Sequence, residues 1–421
     1  MSRILWIGDG GSTTGFARVT HAITDRLVDL GHDVHILATN FRGDPFPAKA
    51  KLYVPTIHDR NDTYGQGRFI PLAAQLHPDV IVMLNDPQVI YRWLLKNPSD
   101  AERLILKNFP VMTYIPIDGY DVPKMYDVLG QMTYRIAMSQ FGQQAMPEAK
   151  LIHHGVDTDL FWPISSQRPI TTSRGVVLRT KKDAKRYFGF NADGFLIGRI
   201  DRNTGRKDFP ATWKAMLPLL RKYADIEVYF HCKARNTQSG INLPAMFSRD
   251  LELMPRFRVP GDAYDPHNGY SQQDLNALYN AFDLMVSTSR GEGFGLTLAE
   301  SLACEVPVIA QNCSAIPEVV GPGGKLIEPG PPITVPFGQD QRLPNIEAFT
   351  EATEYAYLHR RWRRETGRAG REHVIRSFQW DDAAAKFHEY IEVLAHGQRE
   401  AADGDPGTTG AADAPVNANE R

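Results

Sequence analysis

Apolar runs of a few residues recur along the chain, several closing on Gly, Asp, Asn or His and most leading into a segment with helical spacing. Ile4 to Ile7 is the first. A loop, GDGGSTTG, follows, and then a helical pattern from Ala17 to Leu30 that stops at Gly31. Val34 to Ala38, Val80 to Leu84 and Val111 to Ile117 continue the series, the last two ending at Asn85-Asp86 and Asp118-Gly119. The second half repeats the arrangement. Phe195 to Asp201 and Glu227 to Phe230 read as strands, and Ser271 to Ala281 as a capped amphipathic helix. In FDLMVSTSRGEGFGLTLAESLACEVPVIAQNCSAIPEVVG, from Phe282, the strand Asp283–Thr288 runs into a glycine-rich loop and then a helix with apolar residues at 298, 302 and 303. Pro307 to Ala310 is another strand and Pro317 to Val320 opens another helix. Strand, loop and helix in alternation is the repeating unit of an open parallel sheet, whose ligands sit beyond the carboxyl ends of the strands.

Length divides this pattern in two. A chain of 421 residues with 42% hydrophobic positions is better served by two cores than by one. The stretch Pro163 to Arg179, rich in Pro, Ser, Thr and Arg, reads as the connection. The expected division is a first α/β domain over 1–165, a linker and entry helix over 166–190, a second α/β domain over 191–378, a helix over 379–397 and a disordered polar tail over 398–421. A formal net charge of −2 gives no global pull toward nucleic acid or membrane. The three cysteines, Cys232, Cys304 and Cys313, form neither a disulfide framework nor a metal spacing. No signal-peptide core or membrane-length apolar run occurs, so a cytoplasmic setting is expected. Seven arginines between Arg360 and Arg376 are interrupted by Glu365 and Glu372 and read as a solvated helix face.

Candidate chemistry gathers at the predicted strand ends. Gly291, Gly293 and Gly295 let the backbone approach a ligand, and the helix that follows offers free N–H groups to an anion. Glu292 lies in that loop and Glu300 about one turn into the helix, where carboxylates can accept hydrogen bonds from sugar hydroxyls. After Asp201 comes RNTGRK. Arg202 and Lys207, on a glycine-containing loop, can straddle a diphosphate; Arg199 competes with Arg202 for the first role, and Arg206 reads as solvated. The N-terminal loop fails as a dinucleotide fingerprint, because Thr13 takes the third glycine position. It fails as a P-loop too, because Phe16 and Ala17 replace the Lys and Ser/Thr. Asp118 ends a strand on the ligand side; it could bind a hydroxyl, act as a base, or only form an Asx turn. Asp157-Thr158-Asp159 looks like a metal-binding DxD but reads as a turn, and His153 and His154 as structural.

GEGFGLTLAE, with its E-x7-E pair Glu292 and Glu300, followed by EVPVIA and IPEVVG, strongly resembles the donor-binding segment of retaining glycosyltransferases of family 4. The likeness extends more loosely from the N-terminus to about residue 395, and LIHHGVDTDLFWP is similar to the family segment that closes the first domain. The resemblance implies the GT-B fold: two Rossmann-like domains facing each other across a cleft, with a C-terminal helix crossing back to the first. It implies a nucleotide-diphosphate sugar as donor, a UDP- or GDP-sugar, with no required cofactor and no metal. It further implies that Gly11 and Gly15 approach the donor, that Glu300 takes the ribose, that Glu292 and the amides of Gly293, Phe294 and Gly295 go to the sugar, and that Leu296 and Thr297 belong to the donor-binding set. Arg202 and Lys207 would hold the diphosphate, and the leaving phosphate would itself help deprotonate the acceptor. Many family members carry a His where this chain has Asp118. That departure keeps open a non-catalytic nucleotide-sugar-binding protein, and a GT-B epimerase or phosphorylase is a third reading. The acceptor is left unspecified among glycan, lipid, protein and modified nucleic acid.

Overall fold

The computed structural model describes residues 1–403 except 13, 42, 44–45, 56–61, 63, 96–98, 236–239, 262–263 and 265–268. Seven strands make the first sheet: β1 (Arg3–Asp9), β2 (Asp33–Thr39), β3 (Lys51–Tyr53), β4 (Val80–Leu84), β5 (Val111–Ile115), β6 (Tyr134–Ala137) and β7 (Lys150–Leu151). Their spatial order is β3-β2-β1-β4-β5-β6-β7, with every neighbouring pair parallel. An antiparallel ribbon, β8 (Ile170–Thr171) and β9 (Val177–Leu178), lies within the stretch read as a connection. The second sheet contains β10 (Phe195–Ile200), β11 (Ile226–His231), β12 (Phe257–Arg258), β13 (Leu284–Ser287), β14 (Val308–Gln311) and β15 (Gly324–Ile327), parallel in the order β12-β11-β10-β13-β14-β15. A hairpin, β16 (Pro332–Thr334) and β17 (Asp340–Arg342), follows. In each sheet the strand order reverses beside the first strand, between β1 and β4 and between β10 and β13. These are the switch points at which open sheets leave a crevice for ligands.

The strands are continuous apolar runs because both faces of each sheet are covered. Along β1, Ile4 and Trp6 enter one core while Leu5 and Ile7 enter another, and β4 splits in the same way into Val80, Val82 and Leu84 against Ile81 and Met83. A third core fills the second lobe around Phe209, Phe230 and Phe349. The first helix, Gly15–Asp29, starts at Thr14, whose hydroxyl accepts from Ala17 N at 3.2 Å and donates to Asp9 at 2.6 Å.

The last helix, Trp380–Asp403, leaves the second lobe and packs on the first. Its buried Phe387 meets Trp6 and Tyr114 at ring separations of 5.4 and 5.2 Å, and Asp381 pairs with Arg26 at 2.5 Å. Gly155 makes that crossing possible, since a Cβ there would lie 2.3 Å from Trp380 N. The helix continues through residues 398–403, where a tail was expected, because Glu400, Ala401 and Ala402 are good helix formers. The remainder of that tail, 404–421, lies outside the described residues. Among the described residues no helix is long and apolar enough to cross a membrane.

Candidate active site

The loop after β13 carries Glu292. Gly295, at φ 108°, turns the chain into the helix Leu296–Ala303 through a conformation that suits glycine. The Glu292 backbone N–H donates to Ser314 Oγ at 2.7 Å, which fixes the carboxylate's base. Its side chain is buried, with Oε1 2.5 Å from Lys207 Nζ and Oε2 3.2 Å from Arg206 Nη1. Burial pushes this carboxyl up, but the two cations outweigh it and hold it down at about 2. Glu292 is therefore ionised at neutral pH.

Both cations come from the loop after β10. Asn203 anchors that loop, donating to Lys233 O and Ile241 O and accepting from Ile241 N. Gly205–Lys207 forms one tight turn, and Asp208, at φ 47°, caps the helix Phe209–Lys222. Arg290 forks onto Asp208 at 2.7 and 2.8 Å, and its N–H donates to Arg206 O at 3.0 Å. The two loops are thus bonded into one platform at the switch point of the second sheet. Lys207 Nζ also lies 2.6 Å from Asp201, and Arg206 also bonds Gly291 O.

Across from this platform stand the strand ends of the first sheet. Asp118 Oδ2 is 2.9 Å from Arg206 Nε, and Oδ1 accepts from Gln339 at 2.7 Å. Burial and the neighbouring Asp118 push the Asp86 carboxyl up to about 6. Arg202 is exposed, and its charge acts on Asp86 and Tyr64. The lobes touch closely: a Cβ on Gly291 would fall 1.8 Å from Asp118 O, and one on Gly293 2.5 Å from Pro116 Cβ. Gly15 faces Leu296, whose Cδ1 would lie 3.9 Å from an added Cβ. Deeper in the second lobe, the buried Glu300 accepts from Tyr279 at 2.7 Å and pairs with Arg18 of the first helix.

Lys207, Glu292 and Asp118 converge, Arg202 lies beside them, and Glu300 forms a separate station one turn into its helix. Thr297 and Leu296 lie half-buried in the first turn of that helix. Two expectations change. Arg206, read as solvated, bridges Asp118 and Glu292, because the tight turn at 205–207 aims it at the neighbouring loop. Arg199, the rival for the diphosphate, is fully buried and bonded to Asp201, Thr212, Thr288 and Lys207 O, a strut beneath the loop. The Phe294 ring packs 5.0 Å from His154 and 5.1 Å from Phe378, so only its backbone faces the helix start, in keeping with a role for its amide. Gly11 packs on Phe41, where a Cβ would meet Cδ2 at 2.2 Å. Asp157 accepts from Asp159 N and Leu160 N at 3.0 Å, the turn expected of that segment. Arg18 and Asp201 had no signal beyond charge in a polar position.

Residues 194–343 match the family described as Glycosyl transferases group 1. Among curated relatives, the O-antigen chain mannosyltransferase B of Escherichia coli is 44% identical over 57 residues, 14% of this chain and 15% of that protein. The lipopolysaccharide core biosynthesis mannosyltransferase LpsB of Rhizobium meliloti is 27% identical over 175 residues, 42% of this chain and 44% of that one. The chain spans less than half the length of the curated relatives it matches first. Solved structures cover nearly all of it. Sucrose-phosphate synthase from Thermosynechococcus elongatus superposes with a TM-score of 0.67 at 16% identity, over 94% of this chain and 100% of that one. Anabaena HepE in complex with UDP-glucose superposes with a TM-score of 0.68 at 15% identity, over 93% and 100%. With two parallel Rossmann-like sheets facing across a cleft and a last helix returning to the first lobe, the chain has the GT-B fold, and over residues 194–343 it is similar to the glycosyl transferases group 1 family.

Proposed function

We propose that the protein is a retaining glycosyltransferase that moves a sugar from a nucleotide-diphosphate sugar, a UDP- or GDP-sugar, to an acceptor bound on the first lobe. The observation that carries this reading is the convergence of Lys207, Arg206 and the ionised Glu292 at one switch point, closed over by Asp118 from the other lobe. As the bond to the donor diphosphate breaks, negative charge grows on the leaving group. Arg202 and Lys207 take that charge in this reading, and Arg206 steadies Glu292 and Asp118 beside it. Amides of Gly293, Phe294 and Gly295, at the start of the helix, face the sugar with Glu292, and Glu300 takes the ribose. The two lobes keep water from the activated sugar. HepE, of the same fold, was solved with UDP-glucose, which supports a nucleotide sugar as donor here. The three cysteines are buried and unpaired, which suits the reducing cytoplasm.

The test is thermal denaturation with UDP, GDP, UDP-glucose and GDP-mannose, followed by release of nucleoside diphosphate in the presence of candidate acceptors. Stabilisation by one nucleotide class and acceptor-dependent release are expected. A protein that none of the four stabilises is not this enzyme.

A further inference from the structure

Glu300 and Arg18 stand 282 residues apart in the chain, yet they form an ion pair across the cleft. We propose that Arg18 is a positioning residue for the donor ribose, fixing the Glu300 carboxylate from the opposite lobe so that ribose recognition is completed only when the lobes close. The inference rests on the proposed donor site, in which Glu300 takes the ribose. Arg18 lies one turn beyond Gly15 on the first helix, where that helix meets the start of Leu296–Ala303. Arg18 Nη1 donates to Oε1 of Glu300 and Tyr279 Oη donates to Oε2 at 2.7 Å. One bond to each oxygen fixes the plane of the carboxylate and leaves a lone pair on each for a vicinal pair of hydroxyls.

The pairing also supports the charge that such recognition needs. Glu300 is 4% exposed, and burial pushes its carboxyl up; Arg18 and Tyr279 pull it back. The charged and titratable groups around it are Arg18 on the first helix, Tyr279 on the helix Gln272–Ala281, and Cys304 at the end of its own helix. Arg18 is the cation among them, and it comes from the other lobe. Its Nε is buried with no partner among the described residues, so the guanidinium keeps an unused donor. A simple strut between lobes would affect stability and overall activity without distinguishing one nucleotide from another.

The experiment is calorimetric titration of the full chain with UDP, GDP and their 2′-deoxy forms, for wild type, Arg18→Gln, Arg18→Lys and Glu300→Gln. Wild type is expected to favour the ribonucleotide by about tenfold or more, because a buried acceptor left without its hydroxyl is costly. Arg18→Gln is expected to fall to a ratio within about twofold of unity, as Glu300→Gln does. Retention of the wild-type ratio by folded Arg18→Gln overturns the proposal, and so does a wild type with no preference. If Arg18→Gln does not fold, Arg18→Lys decides: an intermediate ratio supports the proposal and an unchanged one overturns it. A wild type that binds no nucleoside diphosphate overturns the donor site itself, a result separate from binding without ribose preference.

Discussion

Arg206 on the loop after β10 holds Asp118 at the end of β5, Nε to Oδ2 at 2.9 Å, so the first lobe's acid is secured by a cation of the second. Gln339 of the β16–β17 hairpin takes the other oxygen, and Tyr120 and Asp340 exchange backbone hydrogen bonds of 2.8 and 2.9 Å beside it. Gly119 lets the hairpin seat, since a Cβ there would lie 2.8 Å from Gln339 Cδ. Arg206 and Asp118 are 28% and 23% exposed, so their pair adds about 1 kcal/mol of stability or less. Arg206→Ala is therefore expected to shift the melting temperature by only a few degrees. It should lower kcat/KM about 10- to 100-fold, through lost support for Glu292 and Asp118. Steady-state kinetics within about twofold of wild type would remove Arg206 from the site.

Lys207 is different, because it serves two buried carboxylates at once. Nζ serves Asp201 and Glu292, whose side chains are 4% and 9% exposed. Lys207→Ala leaves two buried carboxylates short of a cation and is expected to cost about 3 kcal/mol. Adding Glu292→Gln should return part of that stability, since one of the two charges is then gone, while turnover stays absent in both variants. Denaturant unfolding beside a turnover assay checks this. Recovery of activity along with stability would mean that Lys207 acts only in folding.

The sheets were legible because strands buried on both faces are written as short apolar runs, as in Ile4 to Ile7 and Val80 to Leu84. The capping serine Ser271 was legible for the same local reason: it accepts from Asp274 N at 3.0 Å, as short side chains at helix starts do. That Lys207 and Glu292 lie on loops at strand ends was legible because each loop follows a short apolar run. The direction of Arg206 was not. Within RNTGRK each cation has the same local sequence value, and only the turn at 205–207 decides which way each points. Arg18 looks like any polar residue of an amphipathic helix until the second lobe is in place. The hairpin around Gln339 lies in a Pro- and Gly-rich stretch with no period to read, and its pairing with Tyr120 depends on the closeness of the lobes.

Closure itself can be tested at Gly291. A Cβ there would sit 1.8 Å from Asp118 O, an overlap that exists only when the lobes are together. Its neighbours within the second lobe are less demanding, with Ser314 Oγ at 3.6 Å. Gly291→Ala is therefore expected to leave the melting temperature within a few degrees of wild type, to enlarge the radius of gyration in X-ray scattering, and to cut kcat/KM about tenfold or more. Wild-type scattering and kinetics together would show that the contact is not needed for turnover.

Acid should destabilise the protein through two buried imidazoles. His154 touches Tyr114 of the first sheet, Phe294 of the second lobe and Trp380 of the last helix, and neither ring nitrogen has a partner among the described residues. Burial, with a smaller contribution from His153, lowers its pKa to about 3, and burial lowers that of His231 to about 3 as well. The folded state therefore binds fewer protons than the unfolded chain, whose imidazoles titrate near 6.5. The stability of each neutral ring is fully present above pH 6.5 and is lost as pH falls from there toward 3. By pH 5 the loss is about 2 kcal/mol per ring. Urea unfolding at pH 7.5 and pH 5 measures the total acid sensitivity, and His154→Leu should remove about 2 kcal/mol of it. A pH dependence unchanged by His154→Leu would place the acid sensitivity elsewhere.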